Sequence, residues 1–114
     1  MAVVRIVMAI EPQMYQEVLA FHLRHQRPQS EVMLASSQTL QDEAKHVSPH
    51  LIVANEVPPE YKKKKGVFWV ELCMAGRLKA TISTNGYSNN INEVSLQDLL
   101  AVVDKAEEKL AHGS

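Results

Sequence analysis

Residues 48–61 read SPHLIVANEVPPEY. The run HLIVA, 50–54, is short, apolar and bounded by turn residues: Pro49 before it, Asn55, Pro58 and Pro59 after it. A continuous apolar run of this length is expected of a strand buried on both faces, as in a parallel sheet. Asn55 stands at its carboxyl end, the side on which open α/β sheets place their ligands.

The residues upstream repeat the pattern. Val3 to Ile10 is a near-continuous run of Val, Ile, Met and Ala, a second buried strand. Pro12 suits the first turn of a helix. Met14, Val18 and Phe21, with Leu19 and Leu23 beside them, recur at helical spacing to about Gln26, and Pro28 ends the helix. EVMLASS, 31–37, reads as a strand. Thr39 and Asp42 have the spacing of a capping box opening a helix to Val47, which Pro49 ends. Strand, helix, strand, helix, strand predicts a βαβαβ unit with parallel strands.

Downstream of Pro59 the rule changes. Residues 58–66 are expected as loop, with four lysines, Lys62, Lys63, Lys64 and Lys65. GVFWVELC, 66–73, and KATIST, 79–84, read as strands separated only by residues 74–78. A parallel crossover needs roughly a dozen residues, so these two form an antiparallel hairpin. Asn85-Gly86 is a two-residue hairpin turn signal, which predicts a third antiparallel strand over 87–94 with Ile91 inward. In this three-stranded meander Phe68, Val70, Leu72, Ala80 and Ile82 share the inner face. Glu71, Lys79, Thr81 and Ser83 face water, and Trp69 falls with them, where it either covers its neighbours or marks a contact surface. Ser95 and Asp98 form a second capping box opening a terminal helix with Leu96, Leu99, Leu100, Val103, Ala106 and Leu110 on one stripe. The fold class expected is α/β: a flavodoxin-like first half, then an antiparallel meander and a C-terminal helix, as one domain over 1–111 with a flexible tail at 112–114.

Composition limits the function classes. The chain has 114 residues, 46% hydrophobic and 22% charged, with a net charge of −1, so no overall field favours nucleic acid or an anionic membrane. Cys73 is the single cysteine; no internal disulfide is possible and a reducing cytoplasm is the default compartment. No apolar run reaches membrane-spanning length, and the N-terminal run, interrupted by Arg5, reads as a strand and not a signal peptide.

VRIVMAIEPQMYQEVLAFHL, 4–23, and HLIVANEVPP, 50–59, resemble the first strand and helix, and the third strand and following loop, of the receiver domain of bacterial two-component response regulators. The resemblance covers about residues 3–60. It implies a parallel sheet with helices on both faces. It also implies a phospho-accepting aspartate at the end of the third strand, an acidic pair after the first that binds Mg²⁺, and a later Ser or Thr and Lys that read the phosphate. Here the acceptor position falls on Asn55 and the acidic pair on Ile10 and Glu11, with Glu56 nearby. An amide is neither a carboxylate nucleophile nor a good ligand for a hard cation. The crossover helix between the family's fourth and fifth strands has no counterpart. The resemblance therefore implies a degenerate, non-phosphorylatable receiver.

Other candidates have plainer readings. His22 and His25, beside Arg24 and Arg27, are expected on a solvated face; His46 and His50 as helix-end polarity; Cys73 as a buried thiol. There is no Gly-rich phosphate loop, no G-x-S-x-G and no metal-ligand cluster, so neither an enzyme, a metal nor a cofactor is expected. Three functions follow as expectations. The first is an interaction module acting on a protein partner or as a homodimer, through Trp69 and the meander's free edge, with Lys62, Lys63, Lys64 and Lys65 docking an acidic partner. The second is a small-ligand sensor at the strand-end rim of Glu11, Pro12, Ser36, Ser37, Asn55 and Glu56. The last is nucleic-acid binding through Lys62, Lys63, Lys64 and Lys65.

Overall fold

Part-exposed Arg5 and four buried apolar residues, together Arg5–Ala9, form the central strand β1 of a computed structural model that describes residues 3–64, 66–73, 79–84 and 87–111. The remaining elements are α1 (Gln13–Gln26), β2 (Glu31–Leu34), α2 (Leu40–Val47), β3 (Leu51–Ala54), α3 (Pro59–Lys62), β4 (Phe68–Cys73), β5 (Lys79–Thr84), β6 (Tyr87–Asn92) and α4 (Leu96–Ala111). The strands make one mixed sheet in the order β2-β1-β3-β4-β5-β6. β1 pairs in parallel with β2 and β3, and β3 in parallel with β4; β4, β5 and β6 then pair antiparallel. The alternation of strand and helix in the first half and the meander in the second are both present. The connections at 74–78 and Asn85-Gly86, Lys65 and the expected tail 112–114 lie outside the described residues.

Helices cover the two faces of the sheet unequally. On one face Ile6, Met8, Leu51, Val53, Phe68, Val70, Leu72, Ala80 and Ile82 meet Leu19, Ala20 and Leu23 of α1 and Leu99, Leu100, Val102, Val103 and Ala106 of α4. On the other, Val7, Ala9, Ile52, Ala54 and Trp69 meet Leu40 and Ala44 of α2, then Val57 and Tyr61. This second core spans only β1, β3 and the start of β4. Burial on both faces is why β1 and β3 lack a polar alternation. Ile91 packs half-buried against the larger core, as its inward position in β6 requires.

Four sequence expectations are corrected. Trp69 does not face water: it is 7% exposed, under α2 and α3, and its cross-strand partner Ser83 is buried with it. The reason is the parallel pairing of β3 with β4, which draws the first half of β4 beneath the helices; only the later residues of that face, Glu71 and Cys73, escape them. Residues 58–66 are not all loop, because Pro59–Lys62 form a helical turn that places Tyr61 over Trp69's side of the sheet. The stripe of α1 is rotated: Gln16, Leu19, Ala20 and Leu23 are buried, while Met14, Val18 and Phe21 are 76%, 50% and 63% exposed. A helix apolar on two sides offers two registers, and the smaller Ala20 and the hydrogen-bonding Gln16 allow the closer approach to the sheet.

The fourth correction concerns the caps. Thr39 lies in the right-handed helical region and makes no side-chain cap; its Oγ1 accepts from Ser36 N–H at 3.0 Å, and Ser36 Oγ accepts from Thr39 N–H at 3.2 Å. The turn before α2 is thus closed by Ser36 and Thr39, and β2 ends at Leu34. The Ser95 box does form: Asp98 Oδ2 accepts from Ser95 N–H at 2.8 Å and Ser95 Oγ from Asp98 N–H at 3.4 Å. Arg27, just past α1, clamps Asp104 of α4 through Nε at 2.7 Å and Nη2 at 2.9 Å, and this bond holds its guanidinium pKa above the ordinary value.

Candidate functional site

The carboxyl ends of β1, β3 and β4 converge on Asn55. Its Oδ1 accepts from Glu11 N–H at 2.6 Å, its Nδ2 donates to Leu72 O at 3.3 Å, and its own N–H donates to Ala9 O at 3.3 Å. One carboxamide therefore links the loop after β1 to the end of β4. This needs an acceptor and a donor on the same side chain, which an ionised carboxylate does not offer. The chain after Asn55 is tied to β4 again: Val57 N–H donates to Glu71 Oε2 at 2.9 Å, and Lys62 Nζ reaches the same oxygen at 2.9 Å.

The rim positions named from sequence divide. Glu11 and Asn55 come together, and Ser37 Oγ donates to Glu11 Oε1 at 3.4 Å, so Ser37 joins them. Glu56 is exposed on the adjoining loop. Ile10 is not a rim residue; its side chain is in the core and its N–H donates to Oε1 of the buried Gln16, whose Nε2 donates to Ala35 O at 3.2 Å. Gln16 thus joins the ends of β1 and β2 from α1. Its signal in the sequence is a polar residue in phase with Leu19, Ala20 and Leu23.

A cleft of about 790 Å³ opens beside Asn55, over the part of the sheet that α2 and α3 leave uncovered. Glu11, Asn55, Glu71, Cys73, Lys79, Thr81, Asn90 and Asn92 line it. Cys73 is exposed there, which corrects the expectation of a buried thiol. Register puts Cys73 opposite Lys79, Lys79 opposite Asn92 and Thr81 opposite Asn90, and Thr81 Oγ1 donates to Asn90 Oδ1 at 2.9 Å. Among the described residues the walls carry amides, a hydroxyl, a thiol, two carboxylates and one ammonium, with Leu72, Ala80 and Ile91 beside them, a set suited to orienting a polar molecule through several hydrogen bonds.

The lysine segment is partly committed. Lys62 is paired with Glu71 and sits 5.1 Å from the centroid of Trp69; Lys64 is 5.5 Å from that of Tyr61. Burial of Tyr61, and then the nearby Glu60, raise its hydroxyl pKa. Lys63 is exposed. Trp69 belongs to the floor under Lys62 and is no contact surface, while β6 does leave a sheet edge, with Tyr87 exposed at its start.

Of the histidines, His22 and His25 flank Phe21, edge-on at 5.5 Å and stacked at 6.0 Å between centroids. His50 is more than helix-end polarity: its Nδ1 accepts from Arg5 N–H at 3.0 Å, continuing the pairing of β1 with β3. Burial, and then the charge of Arg5, hold its pKa below the ordinary histidine range. The Arg5 side chain itself closes the end of α2, donating to Val47 O and Ser48 O. Among the described residues no group of three His, Cys, Asp or Glu side chains is placed to hold a metal ion, and no helix is long and apolar enough to cross a membrane. Comparison of the chain with protein-family models, with curated proteins and with solved structures gives no match.

Proposed function

We propose that the chain is a phosphorylation-independent interaction module with a receiver-like first half, acting through protein contacts or self-association. What carries the reading is Asn55. At the position where the resemblance puts a phospho-accepting aspartate, the side chain is spent on two hydrogen bonds that tie the loop after β1 to the end of β4. Strand order supports it as well: β2-β1-β3-β4-β5 has the sequence of the doubly wound order 2-1-3-4-5, with the fifth strand reversed and a sixth added. The helix that would precede a parallel fifth strand is replaced by a hairpin, so the surface on that side differs from a receiver's. Incubation with acetyl phosphate and Mg²⁺ followed by intact-mass measurement tests the reading. No phosphoryl adduct is expected, and a stoichiometric adduct would sink it.

The cleft favours a second reading, a sensor of a small polar ligand beside Asn55. Thermal-shift screening against nucleotides and polar metabolites separates the two; a stabilising compound whose effect is lost in Thr81→Val or Asn90→Leu would favour the sensor. Nucleic-acid binding through the lysine segment ranks third, because Glu71 already neutralises Lys62.

A further inference from the structure

We propose that α1 is a self-association surface on which a second copy of this chain docks its own α1, antiparallel, about a two-fold axis between residues 19 and 20. This deepens the interaction reading and rests on it. With about 3.6 residues per turn, Met14, Val18, Phe21 and His25 lie along one line of the helix, directly opposite the buried line of Gln16, Leu19, Ala20 and Leu23. The most solvent-directed face is therefore the apolar and aromatic one. A helix on the surface of a monomer is ordinarily polar there.

The spacing of the outer line, four, three and four residues, is that of a coiled-coil seam. In the antiparallel arrangement Val18 meets the second copy's Phe21, and Met14 meets the second copy's His25, twice each by symmetry. The stacking of Phe21 on His25 fixes a broad ring surface for that contact.

Charge selects a second copy over an unrelated helix. Glu17 and Arg24 lie on one flank of the seam, both exposed and seven residues apart. Arg24 is held there by Nη2 donating to Val32 O at 2.9 Å. The same two-fold axis that pairs Val18 with Phe21 brings each Glu17 beside the other copy's Arg24. In a parallel arrangement Glu17 would face a flank carrying Tyr15 and His22 instead. That flank is also concave: a cleft of about 440 Å³ between α1 and β2, lined by Glu17, Ala20, Phe21, Arg24 and Leu34, carries the apolar surface from the helix to the sheet edge. A partner of unrelated sequence has no reason to match a pattern that is complementary to itself.

The test is sedimentation velocity on the full chain over concentrations on the order of 1 μM to 1 mM, the range of weak specific association. A reversible monomer–dimer equilibrium is expected. Val18→Glu and Phe21→Glu should abolish it with an unchanged far-ultraviolet circular dichroism spectrum, since both side chains are exposed. Glu17→Arg and Arg24→Glu should each weaken the dimer roughly tenfold, as two symmetry-related surface pairs become repulsive. An equimolar mixture of those two variants should dimerise again, because each supplies the charge the other needs. A wild type that stays monomeric, a dimer indifferent to Val18→Glu, or a mixture no tighter than its components would overturn the proposal. Phosphate uptake in the acetyl phosphate experiment bears on the interaction reading alone, so the two failures are distinguishable.

Discussion

Asn55→Asp keeps the shape of the side chain and removes the amide donor that this rim uses. The bond from Glu11 N–H, 2.6 Å in the wild type, survives and becomes charge-assisted. The bond to Leu72 O, 3.3 Å, is lost, because an ionised carboxylate has no donor and sets a negative oxygen against the carbonyl. The lost bond is worth about 1 kcal/mol, and leaving the half-buried carbonyl of Leu72 facing an anion adds about 1–2 kcal/mol. The stronger contact to Glu11 offsets about 1 kcal/mol of this. The expected net loss is about 1–2 kcal/mol at pH 7, a fall in the urea midpoint of roughly 0.5–1 M.

The pH dependence gives an internal control. If ionisation is what destabilises the variant, the folded-state pKa of its new carboxyl lies above the unfolded value of about 3.9. Stability from such a group is fully present below the unfolded value and is lost as pH rises through the folded one. The gap between variant and wild type should therefore narrow from pH 7 to pH 4, as the protonated acid again donates to Leu72 O. Urea unfolding of both proteins at the two pH values is the assay. A variant as stable as wild type at pH 7, or a gap that widens on acidification, would refute the view that Asn55 serves here through its amide donor.

Two further predictions concern groups at opposite ends of β1, Gln16 beside the rim and His50 beside Arg5. Gln16→Leu leaves the buried N–H of Ile10 without its acceptor and should cost about 1–3 kcal/mol, with faster amide exchange at Ile10; a neutral substitution would show that Gln16 is not the tie between β1 and β2. His50 has a folded-state pKa below its ordinary value, so between that value and about 6.5 the unfolded chain binds the proton more readily. The contribution of neutral His50 is thus present above that window and falls away as pH drops through it, and the urea midpoint of wild type should decline more between pH 7.5 and pH 5.5 than that of His50→Gln. Equal declines would exclude the burial of His50 beside the charge of Arg5 as the cause.

The order of elements was legible because each is announced locally. Pro28 and Pro49 stop helices, HLIVA is short, apolar and bounded by turn residues as a strand buried on both sides is, and residues 74–78 are too few for a crossover. The Ser95–Asp98 cap is equally local, since both partners belong to one turn. The meeting of Glu11 with Asn55 was legible through strand order alone, because a parallel β1–β3 pair puts both carboxyl ends on one rim.

What the sequence could not set was which face of an element meets which layer. Val18 and Phe21 look as fit for a core as Leu19 and Leu23; only docking against the sheet, where Gln16 finds Ile10 and Ala35, chooses the rotation of α1. Trp69 alternates with Phe68 and Val70 as an outward residue would, and is covered because β4 pairs with β3 beneath α2 and Tyr61. Glu71 and Cys73 continue that same alternation and line an open cleft, because the helices stop short of them. Periodicity along a chain defines faces, since it follows from backbone geometry alone. Whether a face is covered depends on residues far away in sequence, and that was decided only when the sheet closed and its helices were laid across part of it.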